Sequence, residues 1–243
     1  MEPQIDTGVA RTAKGGVTTL EPSRAERLIA RRAAESRATV PGFELTMVVD
    51  TSPILAARGD LRATTGPESV PSLTAVIIKA CGLALREHPR ANASYRDGHF
   101  ELYSRVNVGV AIAAGDSFIV PAITEADTKT ALAIDAELRP LAARARAGTN
   151  TPPELAGATF TVYNLGMLGV STFSPPVVPS QAAILAVGAS RAVPVLRDGD
   201  IVPGNEMSLT LACDHRILYG AHAAMFLARI RALIELPQEL LPR

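Results

Sequence analysis

Apolar positions along the chain change period several times, and each change marks an element. Phe43, Leu45, Met47 and Val49 alternate with Glu44, Thr46 and Val48, the period of two expected of a strand. Val106, Val108, Val110 and Ile112 repeat that pattern, and Gly115-Asp116 marks a turn into a further strand through Ile119 and Val120. Thr159–Tyr163, Ala183–Val187, Val193–Leu196 and Met207–Cys213 read as further strands. Helical spacing appears elsewhere. Ser23-x-x-Glu26 is a capping box, which predicts a helix from near Ser23 that ends before Pro41. Leu73, Val76, Ile77, Ala80 and Leu83 share one helix face, and Pro89 closes that segment. Leu132–Ala147 is an Ala- and Arg-rich helix that Pro140 should kink or split. Phe226, Ile230, Leu233 and Ile234 define the apolar face of a last helix. Residues 1–20 show no periodicity and read as a mobile arm, or one that orders on a neighbour, ahead of a domain over 21–243. Helices and strands mix without strict βα alternation or internal repeat, so the predicted class is α+β.

Composition narrows what such a fold can do. The 243 residues are 47% hydrophobic and only 4% aromatic, enough for one large aliphatic core. The 24 basic and 24 acidic residues cancel without a basic run or aromatic platform, which argues against a nucleic-acid partner. Met1–Asp6 has no basic start or apolar stretch, and no apolar run suggests a membrane span, so the expectation is a cytoplasmic protein with no membrane partner. Cys81 and Cys213 are the only cysteines, and His88, His99, His215 and His222 are scattered, so neither a disulfide framework nor a metal site is expected.

The most informative stretch is Asp214-His215-Arg216-Ile217-Leu218-Tyr219-Gly220, between a strand pattern and the last helix. It nearly completes the His-x-x-x-Asp-Gly signature of CoA-dependent acyltransferases, with a tyrosine at the aspartate. Arg27–Asp50, Pro89–Ala93 (PRANA), Val106–Ile123, Leu155–Gly166 and Pro179–Gly188 accompany it in order. Together these segments resemble the catalytic domain of the dihydrolipoamide acyltransferases of 2-oxoacid dehydrogenase complexes, over about residues 24–241. The resemblance implies a chloramphenicol-acetyltransferase-like fold, a mixed sheet flanked by helices, assembled as a trimer. It also implies a channel between subunits that acyl-CoA and the acceptor enter from opposite sides, with acetyl-CoA as donor and no tightly bound cofactor. Lys14, Lys79 and Lys129 are the only lysines, and none stands in the Asp-Lys-Ala setting of a lipoylated residue. The expectation is that no swinging arm acts in cis, and that the acceptor is a lipoyl group on another chain or a different molecule.

By the same resemblance His215 is the general base that deprotonates the acceptor as it attacks the thioester. The family's aspartate pairs with an arginine, here Arg31 or Arg32; Tyr219 cannot form that ion pair and reads as a packing tyrosine. Where the family has Ser-Asn, with the serine stabilising the oxyanion, this chain has Tyr163-Asn164. Tyr163 keeps a hydroxyl but carries it farther from the backbone; Ser171, Thr172 and the amides of 166–169 are alternative donors. Ser117-Phe118 replaces a common Gly-Leu on the channel wall, so three departures point to a reshaped acceptor pocket. Cys213, two residues before His215, is expected on the same strand face, where an acyl-cysteine would compete with ordinary core packing. The functional expectation is a stand-alone acetyltransferase acting on a hydroxyl of a small metabolite, such as the primary alcohol of a tetronate-type natural-product intermediate. A non-catalytic scaffold and transfer to a lipoyl group in trans are the alternatives.

Overall fold

The computed structural model describes residues 5–13, 15–115 and 117–241. β1 (Ile5–Thr12) and β2 (Gly15–Leu20) pair as an antiparallel hairpin, so a strand pair stands where the sequence showed no period. Then follow α1 (Arg24–Thr39), β3 (Gly42–Asp50), α2 (Ser52–Thr65), α3 (Leu73–Glu87), a second hairpin of β4 (Ala93–Arg96) and β5 (His99–Leu102), and β6 (Val108–Ala114). β7 (Ser117–Ile119), β8 (Ala122–Ile123), α4 (Ala131–Ala147), β9 (Phe160–Asn164), β10 (Ala183–Val187), β11 (Arg191–Arg197), β12 (Asp200–Asp214) and α5 (Gly220–Glu235) complete the order.

The large sheet runs β11-β12-β10-β9-β6-β7, with β3 also on β12 and β8 also on β6. β9 is parallel to both β6 and β10, and the other pairs are antiparallel, which makes the sheet mixed and the class α+β. Strand alternation divides its side chains between two faces. On one face Met47, Val49, Leu209, Leu211, Cys213, Leu185, Val162 and Val110 join α3, α4 and α5 in the main core. On the other, the register aligns Thr46, Thr210, Ala186, Tyr163 and Ala111 in one row across β3, β12, β10, β9 and β6. Here lies only a small apolar cluster of Val177, Ile184 and Ala212, with Val40, Tyr163 and Val178 against it. One face is a core. The other is largely unfilled in the single chain.

α1 starts where its capping box places it: Glu26 N donates to Ser23 Oγ at 3.2 Å and Ser23 N to Glu26 Oε2 at 2.6 Å. Its anchor to the second face is the buried Ser36, whose hydroxyl donates to the Val177 carbonyl at 2.6 Å. α4 is one continuous helix through Pro140, so the expected split does not occur. Pro67–Glu87 is long and apolar enough by composition to cross a membrane, contrary to expectation. Within it, however, α3 buries Val76, Ile77, Ile78, Cys81 and Leu85 in the main core, and each buried Val, Leu or Ile side chain stabilises by about 1.5–3 kcal/mol.

Candidate active site

β12 delivers its last residue, Asp214, buried and tied down. The Asp214 carboxylate accepts from Arg216 N at 2.9 Å, Nε at 3.0 Å and Nη2 at 2.7 Å, and its carbonyl accepts from Ile217 N and Leu218 N at 3.0 Å each. This turn ends the alternation one residue before His215, whose own N–H donates to the Pro41 carbonyl at 2.9 Å. The His215 ring is exposed, edge-on to Phe43 at 4.8 Å and to Tyr219 at 5.8 Å between centroids. Tyr219, at the N-cap position of α5, also meets His222 at 5.9 Å, and the Arg90 guanidinium lies 5.4 Å from its ring centre. Arg90 stacks on Phe100 as well, at 4.8 Å, while Arg216 stacks on Tyr95 at 4.6 Å. Both arginines thereby connect the β4–β5 region to the histidine turn.

Cys213 is not exposed beside His215. It is fully buried in the main core, and burial, followed by the negative charge of Asp214, pushes its thiol up to about 12. Of the two readings of this cysteine, core packing is the one its burial matches, and β12 ends at Asp214 before the histidine. An un-ionised, buried thiol is a poor nucleophile and cannot line a channel.

The second group of site residues surrounds β9. Tyr163 is half-buried, stacked with Phe118 at 5.8 Å and edge-on to Phe173 at 5.2 Å. Asn164 is occupied by its own turn: its Oδ1 accepts from Gly166 N at 2.8 Å and its Nδ2 donates to Thr74 Oγ1 at 3.0 Å. Thr172 Oγ1 lies 3.1 Å from Thr210 Oγ1, which is 2.9 Å from Thr46 Oγ1, a row of hydroxyls on the second sheet face. Ser171 is exposed, and Ser117 begins β7, paired with Ala114. Phe118 and Tyr163, two of the departures read in the sequence, are therefore in contact.

His215 and Tyr163 are not brought together within one chain. Tyr163 stands opposite Thr210 across the intervening β10, and His215 is five residues beyond Thr210. At about 4.8 Å per strand spacing and about 3.3 Å per residue, the two backbones lie roughly 15 Å or more apart. Arg31 and Arg32 are both exposed to solvent and form no ion pair among the described residues. The arginine at Tyr219 is Arg90, overlooked in the sequence although it lies inside the PRANA segment. Phe173 was also overlooked, since a single aromatic in a Ser/Pro-rich stretch carries no periodic signal. Among the described residues no group of three or more His, Cys, Asp or Glu could hold a metal ion. A cavity of about 320 Å³ lined by Glu137, Pro140, Arg144 and Glu154 includes none of the candidate residues.

Residues 14–242 match the 2-oxoacid dehydrogenases acyltransferase (catalytic domain) family. Dihydrolipoyllysine-residue acetyltransferase components of pyruvate dehydrogenase complexes are similar in sequence. The Rickettsia bellii protein is 35% identical over 87% of this chain and 51% of its own, and the Rhizobium meliloti protein 36% over 88% and 49%. The chain thus spans about half the length of the curated relatives it matches. A probable dihydrolipoamide acetyltransferase from Listeria monocytogenes superposes with a TM-score of 0.84 at 31% identity, covering 90% of this chain and 94% of that one. The Azotobacter vinelandii dihydrolipoamide acetyltransferase superposes at 0.87 and 29%, covering 94% and 96%. That structure comes from an investigation of a serine, a histidine and an asparagine in its catalytic mechanism, the asparagine four positions after the histidine. A chloramphenicol acetyltransferase at 15% identity and a TM-score of 0.56 shares the fold, over 84% of this chain and 94% of that one.

Proposed function

Because the chain belongs to the 2-oxoacid dehydrogenase acyltransferase family, we propose that it is an acetyl-CoA-dependent acetyltransferase working from sites shared between subunits of a homotrimer. The acceptor we assign is a hydroxyl of a small metabolite, with the primary alcohol of a tetronate-type intermediate as an example. The observation that carries this acceptor is the packed trio of Phe118, Tyr163 and Phe173 on β7, β9 and the following loop. These rings stand on the side of the sheet where the sequence resemblance places a serine. A pocket walled by them suits a compact acceptor better than a long flexible arm.

His215 is the base in this reading. Its four-residue spacing to Tyr219 is that of the histidine and asparagine studied in the Azotobacter protein, which supports the assignment. The neutral imidazole takes the acceptor O–H proton as the oxygen bonds to the thioester carbonyl carbon. The resulting oxyanion collapses, the C–S bond breaks, and the CoA thiolate takes the proton from the imidazolium. The Tyr163 hydroxyl, the polar tip of a half-buried ring, is the side-chain donor assigned to the oxyanion. Since Tyr163 and His215 of one chain are too far apart, each site takes its histidine from one subunit and its tyrosine from the next.

The names of the relatives favour a second acceptor, a dihydrolipoyl thiol on another chain. Incubation with labelled acetyl-CoA and either dihydrolipoamide or a panel of small alcohols separates the two. Label on an alcohol, lost about 10²- to 10⁴-fold in His215→Ala with CoA binding intact, supports the proposal. Label only on dihydrolipoamide overturns the acceptor. Failure of CoA to raise the melting temperature, with no thioester turnover, overturns the enzyme and favours a scaffold; a true ligand at a hundred times its Kd adds about 2.7 kcal/mol of stability.

A further inference from the structure

Arg90 is a half-buried cation. Among the described residues no carboxylate pairs with it and no carbonyl accepts from it; its contacts are the faces of Phe100 and Tyr219. The other arginine at this turn, Arg216, has a carboxylate of its own, because Asp214 accepts from both its backbone and its guanidinium. That pairing also removes the nearest acid of the histidine turn as a partner for Arg90. A guanidinium held by ring faces keeps its in-plane N–H donors for something else, and those donors match the oxygens of a carboxylate, enolate or phosphate. The ring beneath it, Tyr219, touches the His215 ring. The free donors therefore stand one aromatic ring away from the proposed base.

We propose that Arg90 is an anion-binding residue of the active site, which anchors an anionic oxygen group of one of the two substrates beside His215. The inference rests on His215 marking the site where the substrates meet. The anion is either a carboxylate or enolate on the acceptor, or a phosphate of CoA. In either case Arg90 sets specificity through binding and takes no part in the proton transfer.

The test is equilibrium binding to the full chain, which needs no turnover. Wild type, Arg90→Met and Arg90→Lys are titrated with CoA, 3′-dephospho-CoA and pantetheine, and separately with small hydroxy acids and their uncharged methyl esters. Arg90→Met should weaken the charged members of one series about 10- to 100-fold and leave the uncharged members unchanged, with Arg90→Lys recovering part of the loss. Weakening confined to CoA or dephospho-CoA identifies a donor phosphate, and weakening confined to the hydroxy acids an acceptor anion. Equal weakening of charged and uncharged ligands, or none in either series, overturns the proposal. The melting temperature of Arg90→Met shows whether a loss in both series comes from misfolding, in which case Arg90→Lys decides. Because the readout is binding and not turnover, absence of the Arg90 effect is distinguishable from failure of the catalytic reading, which His215→Ala tests through activity.

Discussion

A single hydrogen-bonded turn decides which of two neighbouring residues can do chemistry. β12 ends at Asp214, and the Asp214–Arg216 turn leaves the histidine at the surface and the thiol in the core. The sequence showed both residues and not the strand end between them, because strand ends depend on side-chain to backbone bonds that periodicity does not encode. The buried thiols should accordingly resist reagents. Native protein at pH 8 should react negligibly with a thiol-specific dye, and unfolded protein should release two equivalents, one for each cysteine in the chain. Rapid native reaction of one equivalent, lost in Cys213→Ala, would show that Cys213 is accessible after all. The sign of the accompanying pH effect is fixed: with the folded thiol pushed up to about 12 against roughly 8.5 when unfolded, its contribution to stability is complete below about pH 8.5 and declines as pH rises toward 12. Urea midpoints measured at pH 8 and pH 10.5 should fall in that order. Tyr163 offers a complementary residue-scale test. Removing its hydroxyl in Tyr163→Phe leaves the contacts to Phe118 and Phe173 in place, so turnover should drop by up to about 10²–10³ without loss of assembly if the phenol stabilises the oxyanion. Unchanged turnover would limit Tyr163 to shaping the pocket.

Elements whose pattern is driven by burial were legible, and those that owe their form to pairing or close approach were not. α1, α3, β3 and β10 fall where capping and alternation place them, because each carries its own signal in caps or apolar spacing. α2, by contrast, buries only Ile54 and contains Gly59, so little period was available to read. β12 runs back through Pro203 and Gly204 to Asp200, since its first half is held by β11 rather than by a core. The loop that carries Phe173 toward Tyr163 is set by an equally unreadable feature. At Gly188 the Ser171 carbonyl passes so close to the α-carbon that an added β-carbon would overlap it, and Ala189 N donates to the Val170 carbonyl at 2.8 Å just beyond. The obstacle is backbone on both sides, so no rotamer change relieves it. Gly188→Ala should cost about 1–3 kcal/mol or more, lower the urea midpoint, and disturb the aromatic trio before it affects the histidine turn. A stability equal to wild type would mean that the 166–173 segment is not held against β10 in solution.

At the scale of the whole molecule the single chain is incomplete in a specific way. Its second sheet face carries the hydroxyl row and the aromatic trio with little above them, Val48 is 51% exposed on that face, and Met167 and Leu168 protrude at 75% and 72%. Tyr163 and His215 meanwhile occupy separate parts of the surface, so the proposed chemistry requires a second copy. In the proposed homotrimer each histidine meets the tyrosine of the next subunit around a three-fold ring, which makes three identical sites. Mass measurement in solution should therefore give three chains or a multiple of three. A stable monomer at micromolar concentration would remove the shared site. Subunit mixing tests the same geometry through activity. His215→Ala and Tyr163→Lys should each be nearly inactive alone, because every site of each homotrimer lacks one half. In trimers refolded from an equal mixture, a site is intact when its histidine comes from a Tyr163→Lys chain and its tyrosine from a His215→Ala chain, about one site in four if assembly is random. Recovery of about a quarter of wild-type activity is thus the expected result on any acceptor that the wild type acetylates. No recovery, despite mixed trimers verified by mass, would mean that both residues act within one chain and that the separation across β10 and β12 closes in solution.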